Sequence, residues 1–206
     1  MKHAKHCITT LAVVAVTLIA GAPASSADYT IDPAHSQVGF RVRHLGISTV
    51  TGSFPTFEGQ LAFDASEPEG GMVSVTIDAS SIDTGTAARD EHLRSPDFFN
   101  VAEFPEVRFR STSVETHDEG LTVRGDLMIR GVTRPVVLKA EYRGSAVDPW
   151  GNSRVAFAAS TKINRKDFGL TWNKALEAGG LLVGEEVEIL LEIEGIEQKT
   201  DAEATR

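Results

Sequence analysis

An all-β fold is predicted: an eight-stranded antiparallel barrel with one short helical insertion, at about residues 86–103, closing one end. Three observations predict it. Eight segments alternate apolar and polar residues with a period of two. Short Gly-, Asp- and Pro-containing turns join most of them, which favours antiparallel neighbours. One stretch, Ala88 to Pro105, breaks the alternation and carries Phe98, Phe99 and Phe104 among charged residues. Eight strands can close on themselves and remove their edges, leaving an interior just wide enough for side chains or one slender ligand. A two-sheet sandwich is the alternative that the same pattern admits.

The first strand, Ser36 to His44, sets Val38, Phe40, Val42 and His44 on one face and Gln37, Gly39, Arg41 and Arg43 on the other. Phe57, Gly59, Leu61 and Phe63 form the apolar face of the second. After a turn at Glu67 to Gly71, Val73, Val75, Ile77 and Ala79 form the third. In the insertion, Ser95, Pro96 and Asp97 supply a hydroxyl cap, a first-turn proline and a first-turn acid, which predicts a helix starting there. Val107, Phe109 and Ser111 begin the fourth strand, and Asp118-Glu119-Gly120 reads as a hairpin turn. Leu121, Val123, Gly125, Leu127 and Ile129 line the fifth. A tight connection at Gly131 leads to Val136, Leu138, Ala140 and Tyr142 in the sixth. Asp148 to Asn152 is a loop. Val155, Phe157, Ala159, Thr161 and Ile163 form the seventh strand, and Asn164 to Gly184 is irregular. Val187, Ile189, Leu191 and Ile193 form the eighth.

The chain has 206 residues, 20 basic against 29 acidic, and one cysteine. Residues 1–27 read as an export signal that is cleaved: Lys2 and Lys5, an apolar run from Ile8 to Ala20 too short to span a membrane, and a small-residue site at Ser25-Ser26-Ala27. The barrel domain then covers 28–198 and a polar tail 199–206, and a periplasmic or secreted location is expected. Cys7 leaves with the signal, so neither a disulfide nor thiolate chemistry is expected in the exported protein. Without Lys2 and Lys5, 18 basic residues face 29 acidic ones, a formal charge of −11. That balance argues against nucleic acid or an anionic membrane surface as the main partner.

Histidines 35, 44, 92 and 117 are scattered, with no HxH or HExxH spacing, so no metal or cofactor is expected. No GxSxG, P-loop or GxGxxG motif occurs. Small residues on the apolar faces (Gly59, Ala79, Gly125, Ala140, Ala159) either leave a cavity or make room for Phe40, Phe63, Phe109 and Phe157. The pattern does not choose between a hollow and a filled interior. Ten Phe against two Tyr bring little hydrogen-bonding capacity, which suits an oily guest. An isoprene unit would contribute roughly 3 kcal/mol gross at about 0.8 kcal/mol per methylene, so several units would bind without a salt bridge.

Several segments carry a resemblance to a known family. They are Arg89-x-x-His92-Leu93-x-Ser95-x-Asp97-Phe98-Phe99 with Phe104-Pro105 and Phe109; Leu127-x-Ile129-x-Gly131-Val132-Thr133-x-Pro135-Val136; Asn164-Arg165-x-Asp167-Phe168-Gly169; Gly184-x-x-Val187; and Asp32-x-x-His35-Ser36-x-Val38-x-Phe40 with His44. Together they resemble the YceI-like family across nearly the whole exported chain. The resemblance implies a lipocalin-like barrel with a lipid-filled tunnel, a polyisoprenoid ligand such as a prenyl quinone or polyprenyl phosphate, and no catalytic activity. It implies that the apolar faces, with Phe98, Phe104 and Phe168, line the tunnel; with the strand faces and the insertion as read above, the expected lining is Phe40, Val42, His44, Phe57, Leu61, Phe63, Val75, Ile77, His92, Leu93, Phe98, Phe104, Phe109, Leu127, Ile129, Leu138, Phe157 and Phe168. Arg89, His92 and Arg165 are head-group candidates. Two alternatives stand beside a binding or carrier protein. One is a ligand-free secreted interaction or stress protein, which could form a homodimer through an outer strand face. The other is an enzyme on an apolar substrate using His92 with Asp97 or Arg89.

Overall fold

The computed structural model describes residues 26–175 and 180–199. The expected signal segment, apart from Ser26 and Ala27, and the tail beyond Lys199 lie outside the described residues. Ten strands form among the described residues: β1 (Ala27–Ile31), β2 (Gln37–His44), β3 (Ser48–Ser53), β4 (Phe57–Phe63), β5 (Met72–Asp78), β6 (Glu106–His117), β7 (Gly120–Ile129), β8 (Val132–Val147), β9 (Ser153–Asn164) and β10 (Val183–Glu197). All neighbours pair antiparallel.

The closed ring of eight runs β1-β4-β5-β6-β7-β8-β9-β10 and returns to β1. Closure comes from β1, whose Tyr29, Thr30 and Ile31 pair with Glu197, Ile196 and Gly195. Two strands go beyond the eight that periodicity predicts. β1 is short, and β3 (Ser-Thr-Val-Thr-Gly-Ser) has a single aliphatic residue and so carries no apolar rhythm. β1 and β2 lie end to end along β10, interrupted at Asp32–Ser36, and the β2–β3 hairpin continues the wall past the ring.

The break is held by charge. Arg154 Nη1 donates to Asp32 Oδ2 (2.8 Å) and to Glu194 Oε1 (2.5 Å), and its Nε donates to Asp148 Oδ2 (2.9 Å). The Arg154 hydrogen bond, and then His35, hold the Asp32 carboxyl below the usual range. Burial alone would raise Asp148, but hydrogen bonds from Asn152, Arg154 and Trp150 outweigh it and hold it far below.

The insertion sits between β5 and β6. Its helix, α1 (Ala87–Arg94), ends where a start was predicted: Ser95 is the C-cap, with ψ 170°. A residue before proline is pushed out of helical backbone space, so Pro96 stops the helix and Ala87 to Arg94, good helix formers, build it. Asp90 is 6% exposed and anchors the preceding loop, accepting from Thr84 N (2.9 Å) and Thr84 Oγ1 (2.5 Å). Arg94 ties the helix to the barrel by donating to Ser80 O (2.6 Å) and Ile82 O (2.8 Å).

Candidate functional site

A cavity of about 260 Å³ occupies the barrel interior. That is far more than the ≳10–15 Å³ needed to hold one water, so it is no packing defect. β7 contributes wall residues from Leu121 to Ile129, eight residue steps, or about 27 Å along the strand. At a tilt of 35–45° this is about 20 Å along the barrel axis.

The alternating faces build the wall. β2 supplies Val38, Phe40 and Val42; β4 Leu61 and Phe63; β5 Val73, Val75 and Ile77; and β6 Val107, Phe109 and Val114. β7 supplies Leu121, Val123, Leu127 and Ile129; β8 Val136, Leu138 and Ala140; β9 Phe157, Ala159, Thr161 and Ile163; and β10 Val187, Ile189, Leu191 and Ile193. The β10 residues face inward, yet none of the four is fully buried. Side chains filling one another's gaps would bury them, so their half-burial is a direct sign of hollow space.

The small inward residues divide between the two roles that the sequence left open. A Cβ on Gly125 would stand 2.5 Å from the Phe109 ring and from Arg110 O, and one on Gly59 2.8 Å from Ile31 Cδ1. These glycines are filled by neighbours. Ala140 and Ala159 pair directly across β8 and β9, and both face open space.

The insertion is a stopper. Leu93, Phe98 and Phe99 form part of the wall, and Ile82, Phe98, Arg165 and Leu170 at this end are 0%, 6%, 4% and 6% exposed. At the opposite end the wall includes Pro68, Gly71 and Met72, and Met72 is 53% exposed. Trp172 clamps the stopper from outside, with its ring 4.8 Å from His92 and 5.2 Å from Phe98. Arg130 donates from Nη1 to Phe98 O (2.7 Å).

Of the residues expected at the tunnel, Phe40, Val42, Leu61, Phe63, Val75, Ile77, Leu93, Phe98, Phe109, Leu127, Ile129, Leu138, Phe157 and Arg165 stand in the wall. His44, Phe57, Arg89, His92, Phe104 and Phe168 stand elsewhere. His44 closes β2 next to the hairpin, and its carbonyl accepts from Ser48 Oγ. Phe57 and Phe168 are packed into the surrounding core at 7% and 2% exposure. Phe104 covers the β7–β8 turn, with its ring 2.8 Å from where a Cβ on Gly131 would stand; Gly131 has φ +72°. Arg89 donates to Thr84 Oγ1 (2.6 Å) and Thr84 O (2.8 Å) and braces the loop before α1. His92 Nε2 lies 2.9 Å from Asp97 Oδ2 on the outer rim, with both side chains 40% or more exposed. His92 and Asp97 meet as the enzymatic alternative requires, but neither is a wall residue, and Arg89 does not join them.

The wall also includes residues absent from the expectation: Ile31, Phe54, Ile82, Phe99 and Leu170. Ile31, Phe54 and Ile82 lie on or beside the two strands without apolar rhythm or in the loop before α1. No period-two signal could have placed them.

Arg165 is the one charged residue of the wall, and Thr161 the one other polar side chain there, among the described residues. Its Nε donates to Gly184 O (2.9 Å), Nη1 to Leu170 O (2.5 Å) and Nη2 to Val183 O (3.5 Å). Burial pushes the guanidinium below its ordinary value, only partly countered by Glu185. Glu185 itself pairs with Lys166 (2.5 Å). Elsewhere, Asp32, His35 and Glu194 bring ligand atoms within 4.8 Å of one another, a grouping that sequence spacing did not reveal. Arg154 already bonds both carboxylates there.

Comparison with known proteins agrees with this architecture. Residues 29–195 match the YceI-like domain. A UPF0312 protein of Enterobacter sp. (strain 638) is 43% identical over 179 residues, covering 86% of this chain and 90% of that protein. Protein YceI of Salmonella arizonae is 43% identical over 178 residues, covering 85% and 90%. Among solved structures, the Campylobacter jejuni YCEI protein superposes with TM-score 0.65 at 31% identity over 82% of this chain and 96% of that one. Two more distant structures share the fold. Burkholderia cenocepacia BcnA has TM-score 0.70 at 22% identity, covering 80% and 98%. A polyisoprenoid-binding domain from Saccharophagus degradans has TM-score 0.59 at 16% identity, covering 82% and 98%. With the domain match spanning the barrel from β1 to β10 and relatives 43% identical over most of their length, this chain belongs to the YceI-like family.

Proposed function

We propose that this protein binds one long-chain isoprenoid lipid inside the barrel and holds or carries it in aqueous surroundings outside the cytoplasm. One observation carries the reading: a cavity of about 260 Å³, running most of the barrel's length, whose wall is hydrocarbon apart from Arg165 and Thr161. Such a wall rejects sugars and nucleotides, because their polar groups would lose hydrogen bonds to water without replacement. It rewards a flexible chain by about 0.8 kcal/mol per buried methylene. The Saccharophagus degradans domain of the same fold is described as polyisoprenoid-binding, which supports this choice of lipid.

Binding without turnover is the reading best supported, since the His92–Asp97 pair lies outside the cavity wall. The export signal read in residues 1–27 supports a periplasmic or secreted location. Native mass spectrometry of the purified protein, followed by lipid extraction, tests the proposal. A one-to-one complex with a prenyl lipid is expected. A chemically empty barrel that also fails to take up added prenyl lipid would overturn it and favour the ligand-free interaction protein.

A further inference from the structure

We infer that the lipid's head group is anionic and sits at the closed end of the cavity against Arg165, with the tail running toward Met72. This rests on the lipid-binding reading above and adds the chemistry and the direction of the ligand. A guanidinium carries five N–H donors. Those of Arg165 reach three acceptors, all neutral backbone carbonyls, and the contact to Val183 O is long at 3.5 Å. That leaves two donors, one on each Nη. No carboxylate forms an ion pair with Arg165 among the described residues, and the nearby Glu185 is taken by Lys166.

A cation that is 4% exposed, set in a hydrocarbon wall with no ion-pair partner among the described residues, is a costly arrangement in an empty barrel. A phosphate or carboxylate oxygen meeting the two remaining donors supplies both charge and hydrogen bonds. A neutral hydroxyl or carbonyl supplies only the latter. The direction follows from exposure. Arg165, Leu170 and Phe98 close one end at 4–6% exposure, whereas Met72 in the wall at the other end is 53% exposed. The head therefore lies deep, and the last carbons of the tail lie near the surface.

Farnesyl phosphate and farnesol share one tail and differ in head charge. Titrated into lipid-stripped wild-type protein, the phosphate should bind about 10- to 100-fold tighter, the range that a charge-assisted hydrogen bond supplies. Arg165→Gln should erase the preference for the phosphate over farnesol, and Arg165→Lys should restore part of it. Equal wild-type affinities would overturn the head-group inference while leaving lipid binding intact. Binding of neither compound would overturn both. Stearate spin-labelled near its carboxyl or near its terminal methyl reads the direction in wild-type protein, with no variant needed. The first label should broaden the amide signals of Leu170 and Gly184, and the second those of Gly71 and Val73. The reverse pattern would overturn the inference.

Discussion

Removing the lipid should cost the barrel much of its thermal stability. An unfilled apolar cavity destabilises by about 24 cal/mol per Å³, so 260 Å³ left empty corresponds to about 6 kcal/mol. Net stabilities of folded domains lie between about 5 and 15 kcal/mol, so this is a large share. For a domain of this size, each kcal/mol moves the melting temperature by about 2–4 °C, which predicts a drop of about 12–24 °C on stripping. Differential scanning calorimetry of protein before and after organic extraction, with native mass spectrometry confirming the loss, measures it. Re-adding a prenyl lipid should restore the original melting point. A stripped protein that melts within about 2 °C of the loaded one would refute the reasoning. It would mean that the walls close on themselves when empty, and that the half-buried faces of β10 do not mark permanent open space.

Four more outcomes follow from particular contacts. Gly125→Ala should cost about 1–3 kcal/mol, because its methyl would stand 2.5 Å from Arg110 O, a backbone atom that cannot swing away; urea unfolding measures this. Gly125 is for the same reason no place for a tunnel-filling substitution, whereas Ala159→Phe should block lipid uptake, measured by the lipid recovered per protein, with melting temperature little lowered. Phe98→Ala should cost about 3–5 kcal/mol and speed ligand release, since it removes the ring that Trp172 and His92 hold over the closed end; stopped-flow release of a fluorescent prenyl analogue checks it. The Arg154 network should govern acid stability. The depressed Asp32 and Asp148 contribute above the ordinary carboxylate value near 3.9 and lose that contribution as pH falls through their lowered values. Wild-type and Arg154→Met melting temperatures should therefore differ at pH 7 and converge below about pH 4; a constant gap down to pH 2 would contradict the assignment.

Much of the wall was legible because a strand with one buried face must alternate. Phe40, Leu61, Val75, Leu127 and Phe157 could each be placed from a period of two. β3 and Phe54 could not be, because Thr49 and Thr51 alternate with little apolar contrast and Phe54 lies just past the strand's end. The helix lies within the expected insertion at about 86–103, but Ser95-Pro96 ends it rather than starts it, because proline pushes its predecessor out of helical backbone space. His92 and Arg89, attractive as charged residues in an irregular stretch, turned out to serve the rim and the loop. Arg165 stands among the head-group candidates from its residue type alone; that its guanidinium is buried in the wall and held by three carbonyls is a tertiary fact.

By itself, the order of residues determined that the chain makes antiparallel strands with one oily face, and where most of them begin and end. Alternation is a local property: it follows from the pleat and from the exclusion of hydrocarbon from water. Whether those faces meet or stand apart depends on which side chains oppose one another across strands. Phe109 lies over Gly125 and fills it, while Ala140 lies beside Ala159 and leaves a gap. That pairing joins residues distant in the chain, and so the tertiary structure alone decided that the barrel is hollow and that the one charged wall residue among the described residues lies at the closed end.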